Sequence, residues 1–264
     1  MVGAHVLDRY SYFAAPDAER LHDLNAALRD ERVDAIWCIR GGYGMMRILD
    51  AIDFDALRSR PRPVMGYSDV TALHAGVNRR AGTISYHSPV AREEITPFTR
   101  DSFTRAVIED VDSCGVATDA RVIRGGVAHG RLAGGNLSLL AALAGTPYMP
   151  ELDGAILVLE DVNEALYRVD RMLTQLHLAG ALRNVAGIAF GECTNCTADE
   201  SPDDGREART LDDVLREFAD ALHIPCITHI PLGHIDEHWT IPLGALATLD
   251  ADALTLTVHP PGDR

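Results

Sequence analysis

Ser68, Glu160 and His234 offer three side-chain types that acyl-transfer chemistry uses: a hydroxyl, a carboxylate and an imidazole. Ser68 lies on a tight passage from a short apolar run, Pro63-Val-Met-Gly66, to a helix-like stretch from Val70 to Arg80. Such a passage lifts a side chain above a sheet edge and aims it at a helix N-terminus, where free N–H groups favour an oxyanion. Serine is equally a preferred N-cap, so Ser68 could do no more than cap the helix beginning at Asp69. The turn also departs from the Gly-x-Ser-x-Gly elbow, because Val70 stands where the second glycine would be.

Arg40-Gly-Gly-Tyr-Gly44 also follows a strand and precedes a helix, and its glycines let backbone amides approach a ligand closely. It reads as half of an oxyanion hole, a phosphate cradle or a plain turn. Neither the dinucleotide fingerprint nor the P-loop spacing is present. Glu160 closes the apolar strand Ala155 to Leu159, a partly desolvated place from which a carboxylate can orient a histidine. A solvated strand end is the plain alternative, and Asp161 and Glu164 compete for the role. His234 sits in a loop rich in glycine and proline, Pro231 to Gly244, where a histidine suits general-base work near neutral pH. His229 and His238 are equally titratable neighbours, and their spacing matches no zinc motif. Cys193-Thr-Asn-Cys196 supplies at most half of a tetrahedral zinc site, and redox use would place it at a helix N-terminus after a strand, so the pair is expected to be two buried or loop cysteines.

Strands and helices must place these groups. Helical spacing predicts helices over Asp17 to Asp30, Met45 to Ile52, Val70 to Arg80, Leu137 to Ala144 and Leu166 to Leu178, the last stopped by Gly180. Short apolar runs predict strands at 34–39, 63–66, 83–86, 155–159, 188–190, 226–230, 245–249 and 254–258. The alternation implies an α/β fold with a parallel sheet, in which ligands bind beyond the carboxyl ends of the strands. Weak periodicity after Ala91 divides the chain into an N-terminal α/β domain over 1–100, a linker over 101–122 and a C-terminal α/β domain over 123–264.

With 264 residues, 47% hydrophobic and 24% charged, the chain can bury a substantial core. Its net charge of −15 would repel a phosphate backbone, which argues against nucleic acid as a partner. No run approaches the roughly 20 apolar residues that span a bilayer, so no membrane association is expected. His5, Asp8 and Arg9 interrupt the N-terminal segment, which lacks a signal-peptide core. Five scattered cysteines in a chain this long suggest reduced thiols and a cytoplasmic location.

Taken together, these segments resemble the LD-carboxypeptidase family, peptidase family S66, over nearly the whole chain. The matching stretches are Asp34 to Gly44, Gly66 to Leu73, Gly134 to Leu140, Leu159 to Glu164 with Tyr167 to Leu173, and Gly233-His234 with Thr240 to Gly244. The resemblance implies a doubly wound, flavodoxin-like first domain and a catalytic triad of Ser68, Glu160 and His234. It implies an oxyanion hole from the backbone amides of Gly42 or Gly41 and of Asp69. It also implies hydrolysis of an L,D peptide bond that releases terminal D-alanine from cytoplasmic muropeptide tetrapeptides, with no metal or organic cofactor. The partners would be a muropeptide or small peptide and a second copy of the chain in a homodimer.

Family members usually begin with a further strand and helix ahead of the segment matching His5 to Arg9. That unit is missing here, and restoring it is expected to raise soluble yield. Two other functions remain in view: hydrolysis of microcin C-like peptidyl-nucleotides by the same triad, and an inactive module that binds muropeptides.

Overall fold

The computed structural model describes residues 1–196 and 208–260. Its strands are β1 (Ile36–Trp37), β2 (Val64–Gly66), β3 (Ser85–His87), β4 (Gly115–Val116), β5 (Arg121–Arg124) and β6 (Val127–Asn136). They continue as β7 (Ile156–Val162), β8 (Gly187–Thr194), β9 (Cys226–Thr228), β10 (Ile241–Leu243), β11 (Leu246–Asp250) and β12 (Thr255–Val258). The helices are α1 (Asp17–Arg29), α2 (Phe54–Ser59), α3 (Thr71–Gly76), α4 (Pro97–Thr104), α5 (Leu137–Ala142), α6 (Leu166–Leu178) and α7 (Leu211–Leu222). The protein is an α/β fold, as the alternating pattern implies.

One sheet has the order β1-β2-β3-β10. Its first three strands are parallel, with Ile36 opposite Val64 and Met65 opposite Tyr86. The fourth strand comes from the far end of the chain and runs antiparallel, Ile241 opposite His87. The other sheet has the order β4-β12-β11-β6-β7-β8-β9-β5, with β6 to β9 parallel at its centre.

The continuous apolar run of β7 reflects burial on both faces, as expected of a central parallel strand. Leu157 and Leu159 pack with α5, α6 and α7 through Leu140, Leu173 and Leu215. Ile156 and Val158 point to the opposite core with Trp239, Ile241 and Leu256. Helix α6 buries Leu166, Val169, Met172, Leu173 and Leu176 at helical spacing. A third core, around Leu49, Phe54, Leu57 and Leu73, supports the first sheet.

Several elements differ from the expected pattern. Met45 to Ile52 forms two short 3₁₀ turns rather than one helix. The Asn25 side chain donates to the Ala51 carbonyl at 2.9 Å and accepts from the Asp53 N–H at 2.8 Å, so tertiary bonds capture groups a longer helix would use. Residues 101–122 include the end of α4, a π-helical turn over 105–109, β4 and the start of β5. Cys193 and Cys196 are joined as a disulfide, which corrects the expectation of reduced thiols there, while Cys38, Cys114 and Cys226 are free. Among the described residues, no helix is long and apolar enough to cross a membrane.

Candidate active site

Glu160 is set by the carboxyl end of β7, and its side chain is fully buried. The pairing of β7 with β8 is regular to Leu159 opposite Phe190, then resumes with Asp161 opposite Cys193. Gly191 and Glu192 therefore oppose Glu160 alone, and this bulge re-aims the local side chains. Asp161 anchors the strand end: its carboxylate accepts from Asn136 Nδ2 at 3.1 Å and from the Ser138 backbone N–H and hydroxyl at 2.9 and 2.7 Å.

His234 reaches Glu160 from the loop after β9. Its Nδ1 lies 2.8 Å from Glu160 Oε2, and its carbonyl accepts the Thr194 hydroxyl at 3.2 Å. The loop can approach because residue 191 is glycine: a Cβ there would collide with the Leu232 carbonyl oxygen. That carbonyl accepts the Glu192 N–H at 2.8 Å, and Gly233 follows at a φ of 129° beside Glu160. Burial opposes protonation of the His234 ring, yet the hydrogen bond and charge of Glu160 prevail, so its pKa is raised above 6.5.

Ser68 follows β2 at a φ of 63°, a left-handed conformation that is costly for a residue with a Cβ. Among the described residues its hydroxyl makes no hydrogen bond to the protein, which leaves it available. Gly66, at a φ of 147°, makes the sharp exit from β2 feasible, since a Cβ there would lie 3.0 Å from Val70. The glycine turn lies directly alongside: a Cβ on Gly41 would be 2.8 Å from Ser68 Cβ and 3.1 Å from its Oγ. Asp69 ties the two turns together by accepting the Met45 N–H at 2.8 Å. Burial pushes its carboxyl above the ordinary 3.8 despite that bond. Among the described residues, the backbone N–H groups of Gly41, Gly42 and Asp69 have no acceptor.

The structure thus brings Glu160 to His234 and the Gly41-Gly42 turn to Ser68. The two pairs meet through Tyr67, whose ring centroid lies 4.9 Å from that of His234. Ser68 Oγ and the His234 ring are not hydrogen-bonded to each other. The competing groups are otherwise engaged. Asp161 holds the strand end, Glu164 pairs with Arg168 on the surface, and His229 pairs with Glu192 at 2.9 Å. His238 packs against Tyr67 at 5.6 Å and burial lowers its pKa.

Nothing in the sequence hinted at the Tyr67 surroundings. Its hydroxyl donates to Glu93 Oε1 at 2.7 Å, and its ring also packs 5.7 Å from the buried His87. The pKa of His87 falls well below 6.5 through burial. His74, hydrogen-bonded to the Gly66 carbonyl at 2.8 Å, is lowered to about 4 by burial. These histidines are neutral supports under the serine turn. The only available signal was their spacing from Ser68, which carries no chemical meaning by itself.

Family models match both halves of the chain: the LD-carboxypeptidase N-terminal domain over residues 1–88 and the C-terminal domain over residues 129–249. A Streptomyces coelicolor relative that carries a carboxypeptidase name is 38% identical, over 99% of this chain and 84% of its own. The murein tetrapeptide carboxypeptidase of Pseudomonas aeruginosa is 35% identical, over 96% of this chain and 84% of its own. The crystal structure of muramoyltetrapeptide carboxypeptidase from Oxalobacter formigenes superimposes with a TM-score of 0.83 at 30% identity, covering 95% of this chain and 86% of that one. Fold and matches together define the class: the chain is a peptidase. Within that class, it belongs to the LD-carboxypeptidase family.

Proposed function

We propose that the protein is a serine carboxypeptidase that hydrolyses an L,D peptide bond and releases the terminal D-alanine of cytoplasmic muropeptide tetrapeptides, acting as a homodimer. The observation that carries this reading is the 2.8 Å contact between His234 Nδ1 and the buried Glu160, with the His234 ring packed on Tyr67, the residue before the strained Ser68. That contact fixes Nδ1 as the ring's N–H and leaves Nε2 as the base.

In the reaction, His234 Nε2 takes the Ser68 proton as Oγ bonds to the scissile carbonyl carbon. The negative charge moves to the carbonyl oxygen, where the N–H groups of Gly42 (or Gly41) and Asp69 receive it. The C–N bond then breaks, and His234 returns the proton to the departing amine. Water, deprotonated by the same nitrogen, attacks the acyl ester, and Ser68 regains its hydrogen. Glu160 supports the imidazolium that forms twice in this cycle. The contact between Ser68 and His234 is expected to tighten with substrate, as catalytic hydrogen bonds commonly do.

A fluorophosphonate probe and a murein tetrapeptide test the proposal together. Ser68 is expected to label, labelling should vanish in Ser68→Ala and fall sharply in His234→Ala, and the wild type should release D-alanine. A folded protein that neither labels nor turns over would instead be a binding module. Turnover of an aminoacyl-sulfamoyl adenosine, but not of the tetrapeptide, would assign the triad to peptidyl-nucleotide hydrolysis. Light scattering reports the expected dimer.

A further inference from the structure

We propose that Arg40 recognises the substrate's terminal carboxylate and so makes this site an exopeptidase site. The inference rests on the peptidase reading above. Its origin is a cation that the fold brings to the nucleophile and that has no partner among the described residues.

Arg40 precedes the two glycines of the turn that touches Ser68, and β1 and β2, which lead to these turns, are adjacent parallel strands. Its guanidinium lies along that turn, with Cζ 3.8 Å and Nη1 3.9 Å from where a Cβ on Gly42 would stand. The side chain is only partly exposed. Among the described residues it forms no ion pair and donates no hydrogen bond. Neighbouring cations are committed elsewhere. Arg20 donates to Asp17 at 2.5 Å and to the Gly44 carbonyl at 3.1 Å, and Arg47 pairs with Asp17 at 2.7 Å. Arg92, near Tyr67, is exposed on the loop before α4.

The chemistry of a carboxypeptidase requires such a group. Only the nitrogen and Cα of the leaving residue separate its carboxylate from the scissile carbonyl, so the carboxylate must lie close to the oxyanion turn. In a chain of net charge −15, an anionic peptide end needs a local cation to enter at all. A guanidinium beside the turn offers a planar fork that matches a carboxylate in two hydrogen bonds, which neither a lysine nor a backbone amide reproduces. Nearby buried Asp69 also feels Arg40, and neutralising that carboxyl is the structural role from which recognition must be distinguished.

The discriminating experiment compares a tetrapeptide ending in D-alanine with the same peptide ending in D-alanine amide. Wild type, Arg40→Gln, Arg40→Lys and Arg92→Gln are assayed for kcat/KM on both, with melting temperature measured for each. Two charge-assisted bonds are worth on the order of a hundredfold in kcat/KM. The wild type should therefore favour the acid over the amide by about that factor. Arg40→Gln should erase most of this preference, mainly through the acid, Arg40→Lys should restore part of it, and Arg92→Gln should keep it. Equal losses on both peptides in Arg40→Gln would overturn recognition in favour of a structural role. An unchanged preference in Arg40→Gln, or its loss in Arg92→Gln, would overturn it as well. A wild type that turns over neither peptide would overturn the muropeptide carboxypeptidase reading itself, a result visible before any variant is compared.

Discussion

Glu160 has no exposure to solvent, and among the described residues its Oε1 has no hydrogen-bond partner, so its side chain's hydrogen bonding passes through His234. Glu160→Gln is accordingly expected to lower kcat by about 10³-fold or more, as loss of the orienting acid does in comparable triads. Glu164→Ala, which removes only a surface pair with Arg168, should stay within about twofold. The pH profile follows from the same contact. On the proposed mechanism neutral His234 is the base, and its pKa is raised, so kcat/KM should fall on acidification with a midpoint above 6.5. In Glu160→Gln the raising charge is gone and burial remains, which moves that limb to lower pH. A limb that stays put would detach His234 from it. At this scale the sequence supplied the side-chain types but could not choose among Glu160, Asp161 and Glu164, or among His229, His234 and His238. The choice depends on where a β-bulge points one carboxylate and which loop residue meets it. Only the resemblance, through ordered motifs, singled out these three positions.

The elements that hold those groups depend on close backbone approaches. Gly191→Ala would drive a methyl into the Leu232 carbonyl and push the His234 loop away from Glu160. It is expected to cost about 3 kcal/mol and to lower activity more than stability alone would predict, as read by melting and by residual turnover. Asp161→Ala removes the acceptor for Asn136 and Ser138 at the start of α5. A loss of roughly 3 kcal/mol, or a melting temperature lower by about 6–12 °C, is expected. The strongly periodic α6 was readable to its ends from sequence because its buried residues keep one face over about three turns. The long β6 was not. Glycines at 130, 134 and 135 break its apolar pattern: a Cβ at 134 would strike the Val158 carbonyl of β7, one at 130 the Gly154 carbonyl in the turn before β7, and one at 135 the Thr71 side chain. Strand β10 was hidden for another reason: Pro242 speaks against a strand, and only an edge position tolerates it.

Across the whole molecule, β10 joins the two ends of the chain. It completes the first sheet against β3, while Ile241 and Leu243 belong to the core of the second. The two halves are thereby expected to unfold together. In Trp37→Phe, the buried Trp239 alone reports on the second half, and its fluorescence transition should coincide with the loss of fluorophosphonate labelling at Ser68. Transitions separated in temperature would show that the sheets are independent. The long-range reach of β10 has a consequence during synthesis. On the proposed roles, a nascent chain displays its hydroxyl early, yet the imidazole and then the strand that closes the hydroxyl's own sheet leave the ribosome much later. An unfinished polypeptide therefore cannot cleave anything, and hydrolytic competence arrives only as the last strands dock.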